Sequence, residues 1–299
     1  MTALKMTGKK GRLASVAAGL ALGSALLAAQ PAAAIDVSPG DYGVLPAGTN
    51  IGLLYYNFGK SDTLNVDGVG DIPNSELTTH VGLLRALHYD EIGGVPVLFH
   101  AILPFGKIDA RIGGVDQPID DGFGDLTLGA TVFPIHSSDP TGTTLGFSTF
   151  VTAPTGAYDV NRVSLGSGTW TFTPQVGLQQ GLGNGFFLDA FADVAIQLDH
   201  SESGREISRK PSSEVQAYLR YQFDQKTSVS FGYAGFFGGA GEVNGVKTGL
   251  KTRADQLRLF ANTFVLPDVQ LQGMVGTDIG GEGGFKQNFV AQVRLLKLF

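Results

Sequence analysis

The chain has 299 residues, of which 43 are glycine and 20 phenylalanine; 16% are charged and none is cysteine. Without cysteine, disulfide stapling, thiolate catalysis and thiolate metal sites are excluded. Acidic residues outnumber basic ones by 27 to 21, a balance that argues against nucleic acid as a partner.

Residues 1–34 read as a cleaved secretory signal peptide. Lys5, Lys9, Lys10 and Arg12 precede an apolar stretch from about Leu13 to Leu27, and Pro31 with Ala32, Ala33 and Ala34 supplies the small residues before a cut at Ile35. The stretch is shorter than the ~20 residues a spanning helix needs and is diluted by Gly19, Gly23 and Ser24. All four basic leader residues leave with it and no acidic one does, so the formal charge moves from −6 to −10. Residues 35–299 then form a single domain. Only the stretch between Ile35 and Gly48 precedes the first strand, which argues against the plug domain of an energy-coupled receptor.

From Gly48 onward the sequence alternates. Strands are expected at 48–58, 76–89, 95–105, 123–134, 143–154, 169–180, 185–198, 213–223, 227–237, 254–265, 269–277 and 285–299. Leu126, Leu128, Ala130 and Val132 oppose Asp125, Thr127, Gly129 and Thr131. Val215, Ala217, Leu219 and Tyr221 oppose Glu214, Gln216, Tyr218 and Arg220. Side chains on a strand alternate faces, so each segment carries one greasy and one wet face. The first three strands are less regular, because Tyr55-Tyr56 and Leu83-Leu84 put apolar residues on both faces.

The connections sort by parity. Short ones at 91–94, 135–142, 181–184, 224–226 and 266–268 carry Gly, Asn or Pro-Asp turn chemistry. Long ones at 59–75, 106–122, 155–168, 199–212 and 238–253 hold much of the charge. Tight turns on one rim and long polar loops on the other are a feature of bacterial outer-membrane barrels. The expected fold is therefore all-β: a single up-and-down antiparallel transmembrane β-barrel of about twelve strands, its greasy face toward outer-membrane lipid. A soluble all-β binding domain is the competing architecture. The last strand, with Phe289, Ala291, Val293 and Leu295 on one face and Phe299 at its end, has the form of a C-terminal signal for the barrel-insertion machinery.

Three stretches carry a family likeness: Asp120-Asp121-Gly122-Phe123-Gly124-Asp125-Leu126-Thr127-Leu128-Gly129-Ala130, Val151-Thr152-Ala153-Pro154-Thr155-Gly156-Ala157-Tyr158-Asp159, and Gly168-Thr169-Trp170-Thr171-Phe172-Thr173-Pro174-Gln175-Val176-Gly177. They resemble the phenol-degradation meta-pathway family of outer-membrane β-barrel proteins, which are described as transporters. The resemblance extends over most of the mature chain and is clearest in its middle third. It implies a barrel associated with uptake of aromatic or poorly soluble carbon sources, and it brings no catalytic residues.

Candidate chemistry is sparse. His136-Ser137-Ser138 has the His-x-Ser spacing of outer-membrane phospholipases but falls in a Pro-containing turn, so a turn role is expected and the chain reads as a non-enzyme. His80, His88, His100 and His200 are scattered without ligand spacing. Asp116, Asp120, Asp121 and Asp125 match no defined calcium loop and read as a solvated acidic loop. The glycine runs at 238–241 and 280–284 precede no helix, so they read as loops rather than phosphate cradles. No cofactor or metal is expected.

The wet faces carry the remaining candidates. Asp125, Asp189, Asp193 and Glu214 face the lumen with Arg220, Arg258 and Arg294, and these charges are expected to pair with one another. By phase, Phe187, Phe191 and Tyr218 fall on the same inner face, as do Phe260 and Phe264. Inward aromatics are unusual in a water-filled pore and suit apolar or aromatic solutes. The expected activity is passive uptake of small hydrophobic or aromatic compounds; the alternative is a structural or surface-interaction barrel with a filled lumen.

Overall fold

Alternation decides which way each strand faces, and a closed wall results when every strand finds two neighbours. The computed structural model describes residues 36–299; the expected signal peptide lies outside them. The barrel strands are β1 (Asn50–Val66), β2 (Glu76–Ile92), β3 (Val95–Ile112), β4 (Leu126–Ile135), β5 (Thr143–Ala153), β6 (Thr171–Gly183), β7 (Phe186–Gln197), β8 (Ser212–Gln222), β9 (Thr227–Gly238), β10 (Thr252–Leu266), β11 (Val269–Glu282) and β12 (Phe285–Leu298). Each is antiparallel to the next. β12 returns to β1, with Ile51 opposite Leu298 and Phe58 opposite Ala291, so this 12-strand wall has no free edge.

The faces are inverted relative to a soluble protein. Leu128, Val132, Phe147, Leu188, Leu219, Leu259 and Val293 are exposed on the outside, whereas Thr131, Ser148, Gln175, Asp189, Gln216, Gln256 and Arg294 are buried within. Such a wall satisfies its backbone groups internally and offers hydrocarbon a dry surface. The double apolar pairs resolve simply: Tyr55 is inward and Tyr56 outward. Tight turns at one rim use positive φ, at Gly93 and Gly94 and at Asn184.

Three expectations need correction. First, 59–66 and 106–112 are strand rather than loop, which brings β1 to 17 residues and β3 to 18. Their inner positions Leu64, Val66, Ile108, Ala110 and Ile112 are apolar and buried, so the wet inner face that marks a barrel strand elsewhere is missing there. Second, the long connections are themselves folded. His200–Glu202, Arg205–Arg209, Gly241–Val243 and Val246–Lys247 form a separate four-stranded sheet. Its Ile207 and Val243 pack with Leu64, Val66, Ile112, Val160 and Leu250. This sheet and the 154–170 segment cap the barrel at its long-loop end. Third, the stretch before β1, read only as too short for a plug domain, enters the lumen: residues 36–45 turn inward and plug it.

Candidate functional site: a chamber in the occluded lumen

The plug is short but heavily tied. Asp36 accepts hydrogen bonds from Arg258 Nη1 and from Gln216 Nε2, both at 2.7 Å. Asp41 accepts one from Arg294 Nη1 at 2.7 Å and lies 3.9 Å from Arg85. Between them, a Cβ at Gly40 would lie 3.6 Å from Arg220 Nε. The Tyr42 hydroxyl reaches Ser148 at 3.0 Å and donates to Gln175 at 3.2 Å, while Tyr89 donates to the Gly43 carbonyl at 2.7 Å. The Tyr42 ring packs on Phe133 and Phe191, with centroids 5.7 and 5.1 Å away. Gly146 and Gly177 make room for it: a Cβ at Gly177 would lie 2.2 Å from the ring.

The expected inner residues therefore divide by partner. Asp189 and Arg220 pair across β7 and β8 at 2.8 Å, and Arg220 stacks over Phe187 at 4.3 Å. Arg258 and Arg294 do not pair with the wall acids as expected; both take carboxylates of the plug. Asp193 accepts from Gln175 Nε2 at 3.2 Å and stands directly opposite Glu214. Asp125 faces a loop rather than another charge: it accepts from the amides of Gly156 and Ser167 and from the Ser167 hydroxyl. Phe191 packs against the plug, and Tyr218 lies edge-on to Phe260 at 5.2 Å. Phe299 sits at the short-turn rim, its amide donating to the Asn50 carbonyl at 2.9 Å.

Sequence reasoning missed Asp36, Asp41, Tyr42 and Arg85. Arg85 Nη2 lies 3.0 Å from His100 Nδ1, and His100 Nε2 is 3.0 Å from Thr131 Oγ1. The available signal was the pair of acidic residues in a segment too short to fold alone, set against arginines on wet faces. Elsewhere, Asp116 pairs with Arg111 and Asp120 with Arg162 at the long-loop end. His136 and Ser137 lie at the short-turn rim, where Thr144 Oγ1 accepts from the Ser137 amide.

Between plug and cap remains a chamber of about 270 Å³. Leu83, Ile102, Phe236, Met274, Phe285 and Val290 supply its apolar lining; Asp36, Arg85, Glu214, Arg258 and Asp278 its polar lining. A second cavity of about 370 Å³ adjoins it at the long-loop end and shares Ala254, Asp278 and Phe285. It lies where the β11–β12 wall loses its backbone pairing. The β11–β12 ladder runs from Val269–Lys297 to Gly276–Val290. Beyond that, side chains replace backbone bonds: Asp278 Oδ2 accepts from the Gln287 amide at 2.7 Å, and Thr277 Oγ1 donates to the Asn288 carbonyl at 2.8 Å. A third cavity, about 860 Å³, lies on the short-turn side of the plug, bordered by Gly43, Val44, Leu45, Phe187 and Arg220.

The cap has its own electrostatics. Burial pushes the His200 imidazole below its ordinary value, and its Nε2 lies 3.3 Å from the Tyr158 hydroxyl. Burial and the nearby Glu202 carboxylate raise the Tyr158 phenol.

Comparisons with known proteins agree with this architecture. The chain is similar to the COG4313 outer membrane channel from Pseudomonas putida F1: 29% identity, TM-score 0.81, covering 88% of this chain and 100% of that one. The transport unit of the autotransporter AIDA-I from Escherichia coli shares the barrel fold, with 10% identity, TM-score 0.50 and coverage of 93% and 98%. The monoaromatic hydrocarbon channel TodX aligns at 9% identity and TM-score 0.43 over 85% of this chain and 90% of that one. No curated protein sequence matches the chain. The protein is an outer-membrane β-barrel. The pattern of the family described as the MetA-pathway of phenol degradation matches residues 58–295, and the chain belongs to that family.

Proposed function

We propose that the barrel passes small hydrophobic or aromatic compounds across the outer membrane passively, without catalysing a reaction. The chamber between plug and cap carries this reading. It is lined by Leu83, Ile102, Phe236, Met274 and Val290 and is too small and too apolar for a general aqueous pore. The plug's ion pairs close the direct water path, so permeation selects solutes that shed water at little cost. The side-chain-bridged stretch of the β11–β12 wall, beside the adjoining cavity, supplies a way in from the outer end. Phe299 and its alternating strand present the chain to the insertion machinery.

The reading is tested by filling the chamber. Ala254 lines both adjoining cavities, so Ala254→Trp places a ring where solute would sit. Cells carrying this variant should take up labelled toluene or phenol several-fold more slowly than cells with the native barrel, at equal amounts of inserted protein. Uptake no faster with the native barrel than without it would overturn the reading and favour a structural barrel with a filled lumen.

A further inference from the structure

Two arginines of the lumen share one acid. Arg294 on β12 and Arg85 on β2 converge on Asp41 of the plug, at 2.7 and 3.9 Å, and among the described residues no other carboxylate lies within ion-pair distance of either. Their side chains are only 3% and 9% exposed, so the surplus positive charge is held away from water. The histidine beside Arg85 does not add an anion or a second cation. A guanidinium can only donate, so His100 Nδ1 accepts from Arg85 Nη2 and its Nε2–H donates to Thr131 Oγ1, which leaves the imidazole neutral. Arg294 lies over the Tyr55 ring at 5.9 Å and donates to Gln270 at 2.9 Å, and neither contact brings a counter-charge.

The unpaired atoms at this place point the same way. Arg85 Nε and Arg294 Nε are buried without hydrogen-bond partners, as are Nε2 and Oε1 of Gln272. Gln272 is 1% exposed and stands directly opposite Arg294 on β11. Three of these four atoms are donors, so what is lacking is mainly an acceptor. Asp41 meets the need poorly. Its Oδ1 takes Arg294, while Oδ2 is tied to the Ser38 amide at 3.2 Å and stands off from Arg85. A carboxylate free of that turn can face both guanidiniums at once. The location suits a solute: Arg85 and Tyr55 line the apolar chamber, whereas Gly40 and Gly43, on either side of Asp41, line the short-turn cavity. Asp41 stands in the partition between the two.

We propose that Arg85 and Arg294 form a carboxylate-binding site, that Asp41 is its resident occupant, and that the carboxylate of a small aromatic acid takes Asp41's place and thereby releases the plug. The ring remains among Leu83, Ile102, Met274 and Val290 while the carboxylates exchange, so the guanidiniums are not left without an anion. This inference rests on the reading that the chamber accepts aromatic solutes, and it names their charged class and the way they open the path.

The test uses labelled benzoate on the refolded barrel with its plug, and toluene as the neutral counterpart. The native barrel should bind benzoate in equilibrium dialysis. Asp41→Asn should bind it at least about tenfold more tightly, because the competing occupant no longer holds the site. Adding Arg294→Gln to that variant should abolish the gain, and Asp36→Asn, which frees Arg258 instead, should stay within about twofold of native. Release of the plug is read without touching the site. The chain has no cysteine, and Ser38 is buried in the plug, so Ser38→Cys is its single thiol. Saturating benzoate should speed modification of that thiol by a membrane-impermeant maleimide at least about tenfold, as local opening grows, and toluene should not. Benzoate affinity unchanged by Asp41→Asn, or raised equally by Asp36→Asn, overturns the site. Benzoate binding without faster labelling overturns the displacement. Barrel-dependent uptake of toluene separates this inference from the one beneath it: if toluene still passes while benzoate fails, the carboxylate site alone falls, and if both fail the transport reading falls with it.

Discussion

Asp125 shows how one carboxylate holds a loop on a barrel. It stands immediately before β4 and is 5% exposed, and it collects the Gly156 amide, the Ser167 amide at 2.7 Å and the Ser167 hydroxyl at 2.6 Å. Two residues of one loop, eleven positions apart in sequence, are thereby pinned to the wall. Asp125→Ala leaves both amides without their acceptor, at about 2–3 kcal/mol given the strength of hydrogen bonds to a charged group. The barrel should still insert, while amide exchange across 154–168 accelerates by at least an order of magnitude. Unchanged exchange there would show that Val160, Val163 and Leu165, all buried under the cap, hold the loop unaided. Phase along the strand assigns Asp125, Asp193 and Arg258 to the wet face. Phase does not reveal partners: Arg258 meets an aspartate 222 positions away in the plug, and no local pattern encodes that distance.

At the scale of elements, the cap is the part most open to its surroundings. Its sheet joins two long connections, with Ile207 opposite Val243 and Arg209 opposite Gly241. His200 sits on its first strand, and burial lowers the imidazole pKa from 6.5. A base whose folded pKa is depressed stabilises the folded form above its unfolded value. As pH falls below about 6.5 the loosened state binds the proton more readily, and the loss grows until the folded value is reached. Acid should therefore loosen the cap, seen as faster exchange of 200–209 and 241–247 below pH 6.5, and His200→Gln should flatten that dependence. An equally steep dependence in the variant would show that His200 does not carry the effect. The cap was largely illegible in sequence for a physical reason. Leu64, Val66, Ile108 and Ile112 reverse the wet-inside rule because they face a small dry core above the membrane rather than the lumen. The transmembrane stretches follow the rule, and all of them were readable.

For the molecule as a whole, the wall's continuity and the lumen's closure are separate properties. Every barrel strand is paired through its own neighbours, and none of those ladders uses residues 36–47. The plug enters through side chains, chiefly Asp36, Asp41 and Tyr42, and on its short-turn side lies a cavity of about 860 Å³. Its boundary with the wall is also incompletely paired: Tyr55 Oη, Arg85 Nε, Gln216 Oε1 and Arg294 Nε are buried without partners. These groups are polar, so water can solvate them once the segment is gone. Deleting 36–46 should leave a heat-modifiable barrel. Its single-channel conductance should rise several-fold over the native chain, because Arg85, Arg258 and Arg294 would then face water instead of carboxylates. Conductance unchanged by the deletion would move the barrier to the cap, where the Asp125→Ala chain should then conduct more than the native one. A deletion that prevents insertion would instead make the plug part of the folding unit, which the Asp36→Asn, Asp41→Asn double variant separates by loosening the anchorage while keeping the segment.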